Sequence, residues 1–296
     1  MLALHARKTI ATARFGKKRC RMKHRLTRSV AERAQTERLE SYYVDAQSDV
    51  LRAIEQSVCG CHYGGCSWTT RAEADRFVRL MQLEPGRRLL DVGAGSGWPG
   101  LYMADASGCD VTLTDLPLSG LRIAAERADR DALPGACWAV VSDGAGLPFI
   151  DGSFDAISHS DVLCCLAEKR AVLAECRRVL RQDGTMVFSV ISIAPGLNEA
   201  DYRRAVECGP EFIEADAAYA VLLEETGWRI KRVLDVSAEF VDSCRRMRGA
   251  ETAHAEALRE LLGAAAYAER RANLELRHAG ASAGLIRREM FVASKV

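Results

Sequence analysis

Residues 89–100, Leu-Leu-Asp-Val-Gly-Ala-Gly-Ser-Gly-Trp-Pro-Gly, place Gly93, Gly95 and Gly97 where an apolar strand turns into a helix. Lacking a Cβ, glycine takes positive φ and lets the backbone approach a ligand closely. Gly95 to Gly100 also satisfies G-x-G-x-x-G, the spacing of a dinucleotide-binding turn, so a nicotinamide-dependent oxidoreductase stays in view. Asp91, two residues ahead of Gly93, argues otherwise: a carboxylate there opposes a pyrophosphate and suits a ligand with an ammonium group. Asp115 closes the next apolar run, VTLTD, at a place where an acid accepts hydrogen bonds from both hydroxyls of a ribose. Asp143-Gly144 follows the third run, CWAVVS, where a carboxylate can accept from an adenine amino group. Each acid alone is an ordinary cap or loop residue; three at successive strand ends, on the edge where open α/β sheets bind ligands, form a constellation.

A second cluster, Ser158-His159-Ser160-Asp161-Val162-Leu163-Cys164-Cys165, holds the candidate bases. A histidine ordinarily titrates near physiological pH, which makes His159 a candidate to take a proton, and Asp161 is an acid beside it. Their plain alternatives are a strand-end side chain for His159, a helix cap for Asp161 and core packing for Cys164 and Cys165. Cys59, Cys61, His62 and Cys66 total four zinc-type ligands. The spacing C-x-C-H-x3-C is not that of an established zinc finger and crowds a tetrahedral site, so no metal is expected. Tyr42, Tyr43, Tyr63 and Trp68 are candidates for a lid over a ligand, or else dock an N-terminal cap onto the main domain.

The elements that must position these residues follow from periodicity. Helical spacing runs from 29 to 58, with Val50, Ile54 and Val58 on one face, predicting a helical hairpin. Thr70 with Glu73 is a capping box that opens a helix ending before Pro85-Gly86. Strand and helix then alternate: Arg88–Val92, a helix from about Trp98, VTLT, a helix near 118–128, CWAVV, FDAIS, EKRAVLAECRRVL and TMVFSVIS. That alternation predicts βαβ units and a parallel sheet. A helix near 214–226 leads to WRIKRVLDV, and REMFVASKV is the final strand. Leu258, Leu261, Leu262 and Ala265 fall at i, i+3, i+4 and i+7 between the last two strands, predicting a helical insertion over 237–284 packed on one end of the sheet. The expected division is a basic, disordered arm over 1–28, a helical cap over 29–69 and one α/β domain over 70–296.

Composition bounds the rest. The 296 residues are 48% hydrophobic and 27% charged, with no apolar run near the roughly 18 to 20 residues that cross a bilayer. The net charge of +1 hides an asymmetry: +9 over residues 1–40 and −8 over the remainder. An acidic body repels a phosphate backbone, so nucleic acid is not an expected partner. Eleven cysteines, mostly inside apolar runs, fit a reducing cytoplasm better than a disulfide framework.

On DVGAGSG (91–97), LTDLP (113–117), SDGAGLPFIDGSFDAI (142–157) and LAECRRVLRQDGTMVFSV (173–190), the chain resembles the class I S-adenosylmethionine-dependent methyltransferases, in the branch of the ubiquinone/menaquinone C-methyltransferases. The resemblance implies a seven-stranded Rossmann-like sheet with an antiparallel last strand. It implies S-adenosylmethionine as cofactor, with Asp91, Gly93, Gly95, Ser96 and Gly97 lining the methionine end, Asp115 and Leu116 the ribose, Asp143 and Gly144 the adenine, and Ser160 the sulfonium. It also implies methyl transfer by direct displacement to a small-molecule acceptor, with Asp161 or His159 as base. Where the arsenite-methylating branch carries a cysteine after the fourth strand this chain has Asp161, and SHSDVL replaces the proline-rich motif of base-amino methylation. An NAD(P)-dependent oxidoreductase and a non-catalytic cofactor-binding module are the alternatives. Oligomeric state and the identity of the acceptor atom stay open.

Overall fold

A computed structural model describes residues 28–296. Of the basic arm, all but Arg28 lies outside the described residues, as does its expected disorder. The chain then opens with two helices, α1 (Val30–Asp45) and α2 (Asp49–Cys59). Ser29 and Glu32 close a capping box at the start of α1, and Gly60 ends α2 at φ 75°, a left-handed conformation that glycine adopts without strain. Helix α3 (Arg71–Met81) starts at the capping box expected from sequence: Thr70 Oγ1 accepts from the Glu73 N–H while Glu73 accepts from the Thr70 N–H.

The sheet is built from β1 (Arg88–Val92), β2 (Asp110–Asp115), β3 (Cys137–Val141), β4 (Phe154–Ser160), β5 (Leu180–Ile193), β6 (Trp228–Asp235) and β7 (Ile286–Lys295), in the order β3-β2-β1-β4-β5-β7-β6. β1 through β5 run parallel, and β7 inserts antiparallel between β5 and β6. This is the class I methyltransferase sheet that the resemblance implies. Helices α4 (Gly100–Ser107), α5 (Leu118–Arg130), α6 (Lys169–Val179), α7 (Glu199–Cys208) and α8 (Tyr219–Glu225) flank it.

Parallel strands covered on both faces need apolar residues on both sides of the pleat, and β1 supplies them with consecutive residues. Leu89 turns to Phe77, Leu101, Leu113 and Leu121, the face of α3, α4 and α5; Leu90 turns to Ile157, Leu173, Phe188 and Leu222, the face of α6 and α8. Burying each such side chain contributes about 1.5 to 3 kcal/mol.

Three departures from the sequence expectations have local causes. α4 begins at Gly100 rather than near Trp98, because Trp98 turns into the cluster under the N-terminal helices while Pro99 precedes the first helical residue. α7 was not expected; Asn198 caps it, accepting from the Asp201 N–H, and only Ala205 and Cys208 are buried, too faint a stripe to read. The helix expected over 214–226 forms only from Tyr219. Between β6 and β7 stand α9 (Ser237–Ala253), α10 (Ala255–Leu262) and α11 (Ala264–Ser282). They join the N-terminal helices, with Leu51 and Ile54 of α2 packing against Leu258 and Tyr267.

Candidate functional site

Strand ends bring the glycine loop and two of the acids together. Gly93, Gly95 and Gly97 all have positive φ, at 71°, 51° and 103°. At Gly95 the requirement is double, because a Cβ there would also stand 2.6 Å from the Tyr43 hydroxyl. Asp115, at the end of β2, grips this loop: its two oxygens accept from the Gly95 N–H at 2.8 Å and the Leu116 N–H at 2.7 Å. Asp91, at 1% exposure, accepts from Ser158 Oγ at 2.6 Å through Oδ1, while Oδ2 is buried against the Gly100 backbone without a well-formed hydrogen bond among the described residues. Burial raises both carboxyls, Asp91 to about 7 and Asp115 to about 6, because desolvation outweighs the hydrogen bonds that lower them. Ser96 is also buried, its Oγ donating to the Gly64 carbonyl at 2.9 Å.

Asp143 stands farther along the same edge, beyond β3. Its Oδ1 accepts from the Ala145 N–H, and its Oδ2 accepts from Arg28 Nη2 at 3.1 Å, so a residue assigned to the arm reaches the site. A cavity of about 70 Å³ lies here between Leu116, Asp143 and Val172 on the sheet side and Gln35 and Thr36 of α1. Gly144 sits beside Val92 and Val172. Helix α1 is held over this edge by Glu40, which accepts from the Leu118 and Ser119 N–H groups at the start of α5. Tyr43, buried on the same helix, covers Gly95 and Gly120.

The cluster after β4 divides by strand alternation. Ser160 faces the loop between α2 and α3, with Ser67 Oγ 2.6 Å away and Thr69 Oγ1 in contact. His159 points to the opposite face, fully buried and stacked on Phe188 with ring centroids 4.3 Å apart, and neither ring nitrogen has a partner. Burial alone pulls its pKa down to about 3, so the structure does not bring His159 to the site as a base. Asp161 does face the site, at φ 56°, but it is committed. Arg288 of β7, 1% exposed, donates to it through Nε at 2.8 Å and Nη2 at 3.1 Å, and the Trp68 N–H donates to Oδ2. The same guanidinium binds Glu73, Thr69 and Ser189. Asp161 makes no side-chain cap; instead its carbonyl accepts from Cys164 and Cys165, both packed inward.

Among the aromatic candidates, Tyr42 donates to the Gly65 carbonyl at 3.1 Å, and Trp68 meets Phe240 edge-on. Tyr63 instead packs on Trp98 under Arg127, docking the N-terminal helices. Cys59 and Cys61 are buried side by side near Trp98, whereas Cys66 lies 3.5 Å from the Tyr43 hydroxyl. On the far side of the 64–68 loop from the glycine turn opens a second cavity of about 240 Å³, walled by α2, α9 and α11.

Sequence reasoning missed Arg28, Glu40 and Arg288. Arg288 alone left a signal, and a weak one: it shares the alternation of Ile286, Met290 and Val292, but Arg287 and Glu289 flank it.

Residues 90–188 match the family described as "Methyltransferase domain". The 27-O-demethylrifamycin SV methyltransferase of Amycolatopsis mediterranei is 31% identical over 57% of this chain and 63% of its own length. The ubiquinone/menaquinone biosynthesis C-methyltransferase UbiE of Acidiphilium cryptum is 35% identical over 40% and 49%. The chain thus spans between about half and two thirds of these curated relatives. Haemonchus contortus phosphoethanolamine N-methyltransferase 2, solved with S-adenosyl-L-methionine, superposes with a TM-score of 0.70 over 87% of this chain and 60% of its own, at 17% identity. Residues 90–188 thus match a methyltransferase domain, and the chain has the class I methyltransferase fold.

Proposed function

We propose that the protein is an S-adenosylmethionine-dependent methyltransferase that methylates a small-molecule acceptor. The observation that carries this reading is the set of acids at the ends of β1, β2 and β3 around a positive-φ glycine turn. The donor set fits the cofactor: Asp115 offers carboxylate oxygens for ribose hydroxyls, Asp143 an acceptor for the adenine amino group, and Asp91 a buried oxygen without a close hydrogen bond among the described residues for an ammonium. Gly93, Gly95, Ser96, Gly97, Leu116, Gly144 and Ser160 complete the proposed contacts.

When bound, S-adenosylmethionine supplies a methyl group on a sulfonium, already electrophilic. The protein's task is then alignment of a nucleophile near 3 Å and exclusion of water. Tyr43 and the 64–68 loop close over the glycine turn and exclude water there. Asp161 is tied to Arg288 by two charge-assisted hydrogen bonds. We assign it to holding Ser67 and Thr69 against Ser160, so it acts as a positioning residue.

The methyltransferase relatives and the antiparallel β7 leave the NAD(P)-dependent alternative without support. A reducing cytoplasm is the proposed location: buried cysteines such as Cys59, Cys164, Cys176 and Cys244 are free thiols, and no described helix is long and apolar enough to cross a membrane. Calorimetric titration with S-adenosylmethionine, S-adenosylhomocysteine and NADH tests the cofactor. Micromolar binding of the first two and silence from NADH is expected; the reverse pattern overturns the proposal. Acceptor-dependent release of S-adenosylhomocysteine separates an enzyme from a module that only binds.

A further inference from the structure

We infer that the cavity between α2, α9 and α11 takes an amphiphilic organic anion as the methyl acceptor: its carboxylate is the anchor on an aliphatic body, and a separate nucleophilic atom of that body bonds the methyl carbon as the sulfonium S–CH3 bond breaks and S-adenosylhomocysteine leaves. This rests on the methyltransferase reading, because it makes the cavity beyond the 64–68 loop the acceptor site. That loop is shared by both sites: Ser67 touches Ser160 and Asp161 on one side and lines the cavity on the other.

The walls set the chemistry. Leu51 and Ile54 of α2 face Leu274 of α11 and give an apolar body its contacts. Arg270, Asn273 and Arg277 sit at i, i+3 and i+7 on α11, one face of the helix spanning about 10 Å, and all three line the cavity. Of the acids that line it, Glu55 accepts from the Gly64 and Gly65 N–H groups with its two oxygens, and Glu251 is ion-paired through Oε1 to Arg270 Nε at 2.7 Å, with Oε2 buried and without a hydrogen-bond partner among the described residues.

Arg277 is different from the other cations of α11. Arg270 and Arg271 are each ion-paired, whereas Arg277 makes no ion pair among the described residues and donates only to the Gly209 carbonyl. Asn273 beside it is exposed and makes no hydrogen bond among the described residues. A half-buried guanidinium with spare donors next to a free amide, over an apolar floor, matches a planar carboxylate in its fork geometry and leaves the tail to the leucines. A quaternary ammonium meets an uncompensated cation there.

Four probes of similar length distinguish the possibilities on the full chain: octanoate, octyl phosphate, octyltrimethylammonium and 1-octanol, each titrated with and without S-adenosylhomocysteine. Octanoate is expected to bind more tightly than octanol, and octyltrimethylammonium not at all. Arg277→Gln is expected to weaken octanoate about tenfold while leaving octanol, the melting temperature and S-adenosylhomocysteine affinity unchanged; Arg277→Lys restores part of the loss. Equal binding of octanoate and octyltrimethylammonium overturns the inference, as does Arg277→Gln without effect. Octyl phosphate bound in preference to octanoate overturns the carboxylate and replaces it with a phosphate. S-adenosylhomocysteine bound with octanoate silent sinks the acid and leaves the methyltransferase reading standing. Silence from S-adenosylhomocysteine and S-adenosylmethionine, with octanoate bound, sinks the acceptor role along with that reading.

Discussion

Asp91 and Asp115 look alike in sequence, each an acid at a strand end, yet they stand differently. Asp115 holds the backbone of Gly95 and Leu116 with one lone pair of each oxygen, whereas Asp91 keeps a buried oxygen without a close hydrogen bond among the described residues. Asp115→Ala removes charged acceptors from the proposed ribose contact and also frees Gly95, so S-adenosylhomocysteine affinity is expected to fall at least tenfold, about 1.5 to 3 kcal/mol per charged hydrogen bond lost. Calorimetry on the variant checks this; an unchanged affinity refutes the ribose contact. For Asp91 the sign follows from its raised pKa. The folded state holds a proton from the ordinary carboxyl range near pH 4 up to about 7, so its burial costs nothing below that window and on the order of 4 kcal/mol above it. Stability of the wild type relative to Asp91→Asn is therefore expected to decline as pH rises from about 4 to 7, read from denaturant midpoints. A ligand ammonium reverses the shift, so cofactor binding near pH 6 should release a proton that Asp91→Asn does not. Binding enthalpies in buffers of different ionisation heat measure it.

At the scale of elements, one side chain ties three of them. Arg288 on β7 holds Asp161 at the end of β4 and Glu73 in the first turn of α3, and all three are nearly or fully buried. Arg288→Met leaves two carboxylates buried without a cation and is expected to cost about 3 to 5 kcal/mol in denaturant unfolding. Loss of less than 1 kcal/mol would mean that water or backbone groups replace the guanidinium. The capping box of α3 makes a smaller contribution: Thr70→Ala should cost about 1 kcal/mol, lowering the melting temperature by roughly 2 to 4 °C. The strands of the parallel core and the capped helices were legible because their signals are local: Thr70 with Glu73, and apolar runs bounded by Gly and Pro. Helix α7 was not, since two buried residues in ten leave no stripe to read. His159 failed as a base for a related reason: adjacent residues on a strand face opposite ways, and sequence does not tell which face carries the site.

Across the whole molecule, the N-terminal helices and the insertion between β6 and β7 meet above the sheet, and the proposed cofactor and acceptor regions lie on either side of the 64–68 loop. Tyr43 rests on Gly95 and Arg28 on Asp143, so α1 is expected to move outward for the cofactor to enter. S-adenosylhomocysteine at a hundred times its Kd should stabilise the fold by about 2.7 kcal/mol and slow amide exchange in α1; exchange there unaffected by ligand would sever α1 from the site. By itself the sequence determined the order of strands and helices, the glycine turn and the three acids, because periodicity, caps and turn residues act over a few neighbours. Only the tertiary structure decided which face of β4 carries the site, that Asp161 is neutralised by a residue 127 positions away, that Arg28 reaches Asp143, and that α11 turns its arginines into a cavity floored by α2. Those contacts depend on how the helices pack over the sheet, and packing joins residues whose separation along the chain carries no pattern to read.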